Sequence, residues 1–124
     1  MTQDKALLLK DLCARIPYGV KMNHIADDEH STKTLIGIAK DMITLEGLGG
    51  YECVDIEDYK PYLFPPSSMT DEQKKEQEAH FTCIKHDMSF SICRYMEWCY
   101  KNHLDINGLL SKGLAIDATG LNIY

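Results

Sequence analysis

Five side chains in this 124-residue chain offer nitrogen or sulfur donors at short spacing: His80, Cys83 and His86 recur every three residues, and Cys99 and His103 stand four apart. Imidazole and thiolate in sets of four are what zinc takes. If residues 80–86 are helical and run antiparallel to a helix bearing Cys99, four of these donors converge. The spacing is nevertheless not the paired Cys-x-x-Cys of structural zinc sites, and a chain with five cysteines and five histidines brings them this close by chance. Cys83 and Cys99 are therefore read as core and the histidines as surface, with no metal or other cofactor bound. The same cluster holds the one local pairing of nucleophile and base, Cys83 with His80 or His86, which a small hydrolase would need. Three carboxylates, Asp55, Glu57 and Asp58, offer an acid and a base. A charged strand end beside a proline-rich loop is ordinarily just solvated, so no catalytic role is assigned to them.

Aromatic residues point instead to recognition. Tyr51, Tyr59, Tyr62 and Phe64 are predicted to line a peptide or small-ligand groove, since tyrosine supplies much contact energy when clustered on a surface. Phe64, with Leu63 and Trp98, has a second reading as core closing a sheet against a helix. Tyr62, Leu63 and Phe64 lie in Lys60-Pro-Tyr-Leu-Phe-Pro-Pro-Ser-Ser-Met-Thr70, where three prolines in eleven residues remove three backbone donors. Such a stretch reads as a shaped, ordered loop, neither helix interior nor central strand, with Tyr62 partly exposed beside the sheet.

The elements that position these residues follow from periodicity. Leu8, Leu9, Leu12, Cys13 and Ile16 predict an amphipathic helix over residues 4–16 with Asp11 and Arg15 mostly on its outer side, stopped by Pro17. Four strands are predicted at residues 20–25, 34–39, 42–46 and 51–56. Lys40-Asp41 makes a tight hairpin, Gly37 a bend or bulge, and residues 26–32 a polar loop. Thr70-Asp-Glu-Gln73 has the form of a capping box and starts a helix to about Ala79. A last helix over residues 89–102 shows Ile92, Cys93, Met96, Cys99 and Tyr100 as its inner stripe. The tail from Leu114 to Tyr124 is too apolar to hang free and is expected to pack back.

Composition bounds the rest. The length suits one domain, residues 1–124. No apolar run approaches the roughly 20 residues of a membrane span, and the first ten residues lose their apolar character too early for a signal peptide, so the expected setting is the cytoplasm and not a membrane. Five cysteines, an odd count, then read as reduced thiols, most of them buried. A net charge of −6 with no basic block disfavours nucleic acid, whose attraction for proteins comes mainly from Lys and Arg.

Two resemblances add to this. The segments Asp11-Leu-Cys-Ala-Arg-Ile-Pro-Tyr-Gly-Val20, Lys60 to Thr70, and Gly108-Leu-Leu-Ser-Lys-Gly-Leu-Ala-Ile-Asp-Ala-Thr-Gly-Leu-Asn-Ile-Tyr124 resemble those of a family of short uncharacterised proteins frequent in gut anaerobic bacteria and their mobile elements. That resemblance implies kinship and no particular activity. An N-terminal helix followed by curved strands is also similar to SH3-like and Sm-like small barrels; an Sm-like relationship would imply a ring oligomer that binds RNA.

The resulting expectation is an α+β domain: an N-terminal helix, a small curved antiparallel sheet, and C-terminal helices packed on it. Its expected function is non-enzymatic binding of a protein or small ligand. The alternatives are a small hydrolase or metal-dependent enzyme using the Cys/His cluster, and an Sm-like RNA-binding barrel.

Overall fold

Helix α1 (Gln3–Arg15) opens the fold in the computed structural model, which describes residues 3–26, 32–86 and 88–124. The loop expected at residues 26–32 lies almost wholly outside them. A short 3-10 turn at Ile16–Tyr18 and the left-handed Gly19 (φ +67°) end the helix at Pro17. Its buried stripe is Leu8, Asp11, Leu12 and Arg15. This corrects the sequence expectation, because Cys13 is exposed and the two charged residues point inward. The reason is mutual pairing: Arg15 donates through Nε (2.7 Å) and Nη2 (3.1 Å) to the Asp11 carboxylate, so the two charges enter the core together.

Among the described residues six strands form one sheet: β1 (Lys21–His24), β2 (Lys33–Ala39), β3 (Met42–Gly47), β4 (Gly50–Asp55), β5 (Tyr59–Leu63) and β6 (Ile116–Asp117). The order is β4-β3-β2-β1-β5-β6, antiparallel except for the β5–β6 pair. Lys40 (φ +58°) and Asp41 make the β2–β3 turn, and the register slips between Leu35 and Gly37, where the glycine predicted a bulge. The sheet curls without closing. Although β3, β2 and β1 separate β4 from β5 in the sheet order, the Tyr59 hydroxyl on β5 reaches Glu52 on β4 at 3.4 Å. Leu8 and Leu12 of α1 pack onto Val20, Met22, Leu35, Ile43, Leu45 and Leu63, and Ile56, Tyr59 and Leu109 complete the same buried cluster.

The start of the proline-rich segment is strand and not loop. Pro61 sits in β5 opposite Met22 and is buried. The Ile25 N–H bonds the Asp58 carbonyl, which makes Asn23–Lys60 a hydrogen-bonded pair and turns the Pro61 nitrogen away from β1. On that other side the β6 ladder begins only at Tyr62, so the missing donor is not needed.

Helix α2 (Asp71–His86) runs to His86, well past the predicted end near Ala79, and α3 (Met88–Lys101) returns antiparallel to it. The capping box forms as read: the Thr70 hydroxyl accepts from the Gln73 N–H (3.1 Å), and the Gln73 side chain accepts from the Thr70 N–H (2.9 Å). Helix α2 buries no residue; α3 buries Ser91 and Cys99, while Ile92 and Cys93 of the predicted inner stripe are exposed. The tail packs back as expected, through β6 and through the Tyr124 hydroxyl, which donates to the Tyr62 carbonyl (2.7 Å) and accepts from the Lys21 N–H (2.9 Å). No helix among the described residues is long and apolar enough to cross a membrane.

Candidate functional site

The α2–α3 hairpin is zipped by polar and aromatic contacts in place of an aliphatic seam. From base to tip, the Gln73 amide donates to Asn102 (3.3 Å), the Trp98 indole to Glu76 (2.6 Å), and the Gln77 amide to the Tyr95 hydroxyl (3.1 Å). His80 then packs against the Tyr95 and Trp98 rings (centroids 5.7 and 5.4 Å), and Phe81 against Tyr95 (5.2 Å). Tyr95 lies deep enough that burial raises the pKa of its phenol.

This antiparallel register decides what becomes of the Cys/His cluster. Gln73 lies beside Asn102 and His80 beside Trp98, so Cys83 and His86 sit toward the tip while Cys99 and His103 sit toward the base. The five donors do not converge, and among the described residues no three His, Cys, Asp or Glu side chains gather as metal ligands would. Cys99 is buried, which raises the pKa of its thiol, but Cys13, Cys53, Cys83 and Cys93 are all exposed, against the expectation of mostly buried thiols. A two-helix hairpin has only one inner face, and aromatic and amide side chains occupy it.

Toward the tip, Ala79, His80, Cys83, Ser91 and Arg94 line an open cleft of about 210 Å3. The Arg94 guanidinium lies over the Phe90 ring (5.6 Å). Near this cleft the apolar side chains turn outward: Phe81 is 44% exposed, Met88 67%, Phe90 62% and Ile92 40%. Four large apolar residues within twelve positions of one hairpin exceed the scatter of single exposed residues found on any protein surface.

The predicted aromatic contacts are dispersed. Tyr51 is exposed on β4, at one edge of the sheet. Tyr59 is buried, its ring beneath the Lys33 ammonium (5.9 Å) and edge-on to His24 (5.2 Å). Lys33 also pairs with Glu52, which raises the lysine pKa and lowers that of the carboxylate. Tyr62 is fully buried, so its expected exposure is overturned: β5 lies inside the sheet, and alternation sends Tyr62 and Leu63 to opposite faces that are both covered. Phe64 is half-buried against Tyr124 (5.9 Å). A second cleft of about 180 Å3 holds Tyr59 with Asp4, Lys5, Leu8, Glu57, Lys60 and Leu114, and Lys5 bridges there to Asp41 (3.1 Å) and Glu57 (3.2 Å).

A buried polar cluster ties α1 to the chain after α3. Arg15 Nη2 donates to the Leu104 carbonyl (2.7 Å), the Asn107 amide donates to Asp11 (2.7 Å), and the Tyr100 ring lies 4.9 Å from the guanidinium. His103 stacks on Tyr124 (3.6 Å); burial first, then the Arg15 and Lys21 charges, pull its pKa down to about 4. Burial likewise pushes the Tyr124 phenol up.

Sequence reasoning missed Phe81, Phe90, Ser91 and Arg94. A signal existed in Phe81, Met88, Phe90 and Ile92, a concentration of large apolar residues beyond what one helical stripe can bury. No protein-family model, curated protein or solved structure matches this chain.

Proposed function

We propose that this protein is a non-catalytic binding protein of the cytoplasm whose α2–α3 hairpin seats an amphipathic segment of a partner protein. One observation carries the reading: Phe81, Met88, Phe90 and Ile92 are exposed together on a hairpin whose first helix buries nothing against the body. An exposed apolar helix face of this kind suits recognition of an amphipathic segment, whose apolar anchors one turn apart pack against it. Lys85, one turn beyond Phe81, and Arg94, over Phe90, favour a partner segment that is acidic as well as apolar. Four exposed free thiols suit a reducing compartment.

The test uses the full chain as bait in its native host, followed by calorimetry on each purified pair. Replacing Met88 and Phe90, the two most exposed of the four, with glutamate weakens the partner at least about tenfold at an unchanged thermal midpoint, as loss of apolar anchors does. A partner that ignores this double substitution but is lost on Tyr51→Ala overturns the reading and moves the contact to the sheet edge.

A further inference from the structure

The Tyr124 hydroxyl stands inside the β1–β5 ladder. Pairing between these strands runs from His24–Tyr59 to Met22–Pro61 with Asn23–Lys60 a hydrogen-bonded position, so the next such position falls at Lys21 and Tyr62. There the Lys21 N–H donates to the Tyr124 hydroxyl (2.9 Å), which donates in turn to the Tyr62 carbonyl (2.7 Å). A gap between a backbone donor and a backbone acceptor takes a group that is both, and a hydroxyl is such a group. Burial pushes the phenol pKa up, which keeps the donated proton in place. The rest of the site grips a flat ring. His103 lies almost parallel to the Tyr124 ring (3.6 Å between centroids, 11° between planes), and Phe64 leans on it (5.9 Å). The buried His103 Nδ1 has no hydrogen-bond partner among the described residues, so the stack orients the imidazole.

The strap that delivers this ring is held by little else. The Ala118 N–H bonds the Leu63 carbonyl, but beyond it the N–H groups of Thr119 and Leu121 bond locally, to Asp117 and Ala118. Among the described residues the Tyr124 hydroxyl is where the strap past Ala118 hydrogen-bonds the body. Tyr124 is 43% exposed and Leu121 38%, so the strap lies at the surface and the ring has an open way out. We propose that this is a phenol-recognition site, filled in cis by Tyr124, which a free phenol or the tyrosine side chain of another chain enters when the strap lifts. The Lys21 N–H and the Tyr62 carbonyl read the hydroxyl from its two sides, and His103 and Phe64 select an aromatic ring. Tethering gives the resident ring an effective concentration on the order of millimolar, so weak outside phenols do not displace it. The site is separate from the α2–α3 hairpin and uses none of its exposed residues.

The experiment empties the site in the full-length chain with Tyr124→Ala and follows the thermal midpoint with three probes at equal millimolar concentration. These are p-cresol, the tyrosine side chain as a free phenol; N-acetyl-tyrosinamide, the same side chain on a backbone; and toluene, the ring without its hydroxyl. Tyr124→Ala is expected to lower the midpoint and p-cresol to restore part of it, binding about tenfold more tightly than toluene, the size of one hydrogen bond. A like gain from N-acetyl-tyrosinamide assigns the site to a tyrosine side chain; a gain from p-cresol alone assigns it to a free phenol. The unsubstituted protein and Tyr124→Phe, whose own rings fill the site, gain nothing. Intermolecular NOEs are expected to place the cresol ring against His103 and Phe64. Equal stabilisation by toluene overturns the proposal, because an apolar hole would then suffice. So does the absence of any response to p-cresol, a p-cresol gain in Tyr124→Phe as large as in Tyr124→Ala, or NOEs confined to other residues.

Discussion

Asp11 and Arg15 are both fully enclosed and form a salt bridge, with the Leu104 carbonyl and the Asn107 amide as further partners and Arg15 Nη1 left without one among the described residues. Removing one partner strands a buried charge. Asp11→Ala is therefore expected to destabilise the protein by about 3–5 kcal/mol in urea denaturation, whereas Asp11→Leu combined with Arg15→Met loses far less, because an apolar pair needs no desolvation of ions. His103 sets a pH dependence of definite sign. Its folded pKa of about 4 lies below the ordinary 6.5, so the unfolded chain binds the extra proton between those values. Stability from this group is complete above pH 6.5 and falls as the pH drops toward 4. The loss is on the order of 2 kcal/mol once partial solvent screening is allowed for. Denaturation at pH 7 and pH 4.5 should show the difference shrinking in His103→Phe, which keeps the stack on Tyr124. Among individual residues, Thr70 and Gln73 were legible because a capping box closes within four positions. Tyr62 was not, because its cover comes from neighbouring strands and from elements far along the chain.

The elements divide along the same line. Helix α1, the β2–β3 hairpin with its bulge at Gly37, strand β4 and the start of α2 follow the sequence periodicity closely, since each rests on contacts between near neighbours, and β1 follows it although its partner β5 is distant. Strand β5 was illegible for a physical reason. Three prolines argue against a central strand only if every nitrogen must donate, and Pro61 faces the side where β6 has not yet begun. Helix α2 outran its predicted end because, beyond Ala79, His80 and Phe81 pack against Tyr95 and Trp98 of α3, which no local pattern reveals. The inner stripes of α1 and α3 were both misplaced. On α1 the periodicity could not say that two charges would pair inside; on α3 the seam belongs to Ser91, Tyr95 and Trp98, leaving Ile92 and Cys93 outside.

The molecule as a whole carries thirteen Lys and Arg against nineteen Asp and Glu. Binding that neutralised about six phosphates would weaken roughly a thousandfold between 50 and 200 mM salt, and it needs a concentrated cationic face. No measurable RNA or DNA affinity is expected at physiological salt. An anisotropy titration giving sub-micromolar binding with a steep salt slope would contradict this and revive the Sm-like reading, even though the curled sheet is open. The mixed class of the fold and the capped entry to α2 were readable from periodicity and short-range hydrogen bonding. Those properties depend on residues within a turn or a hairpin of one another. Where Tyr62 is hidden, how far α2 runs, which way Asp11 and Arg15 point, and that Ser91, Cys83 and Arg94 share one cleft required the assembled chain. Each is settled by which faces of different elements meet, for Tyr62 by partners tens of residues away, and an amphipathic pattern states that a face will be covered without stating what covers it.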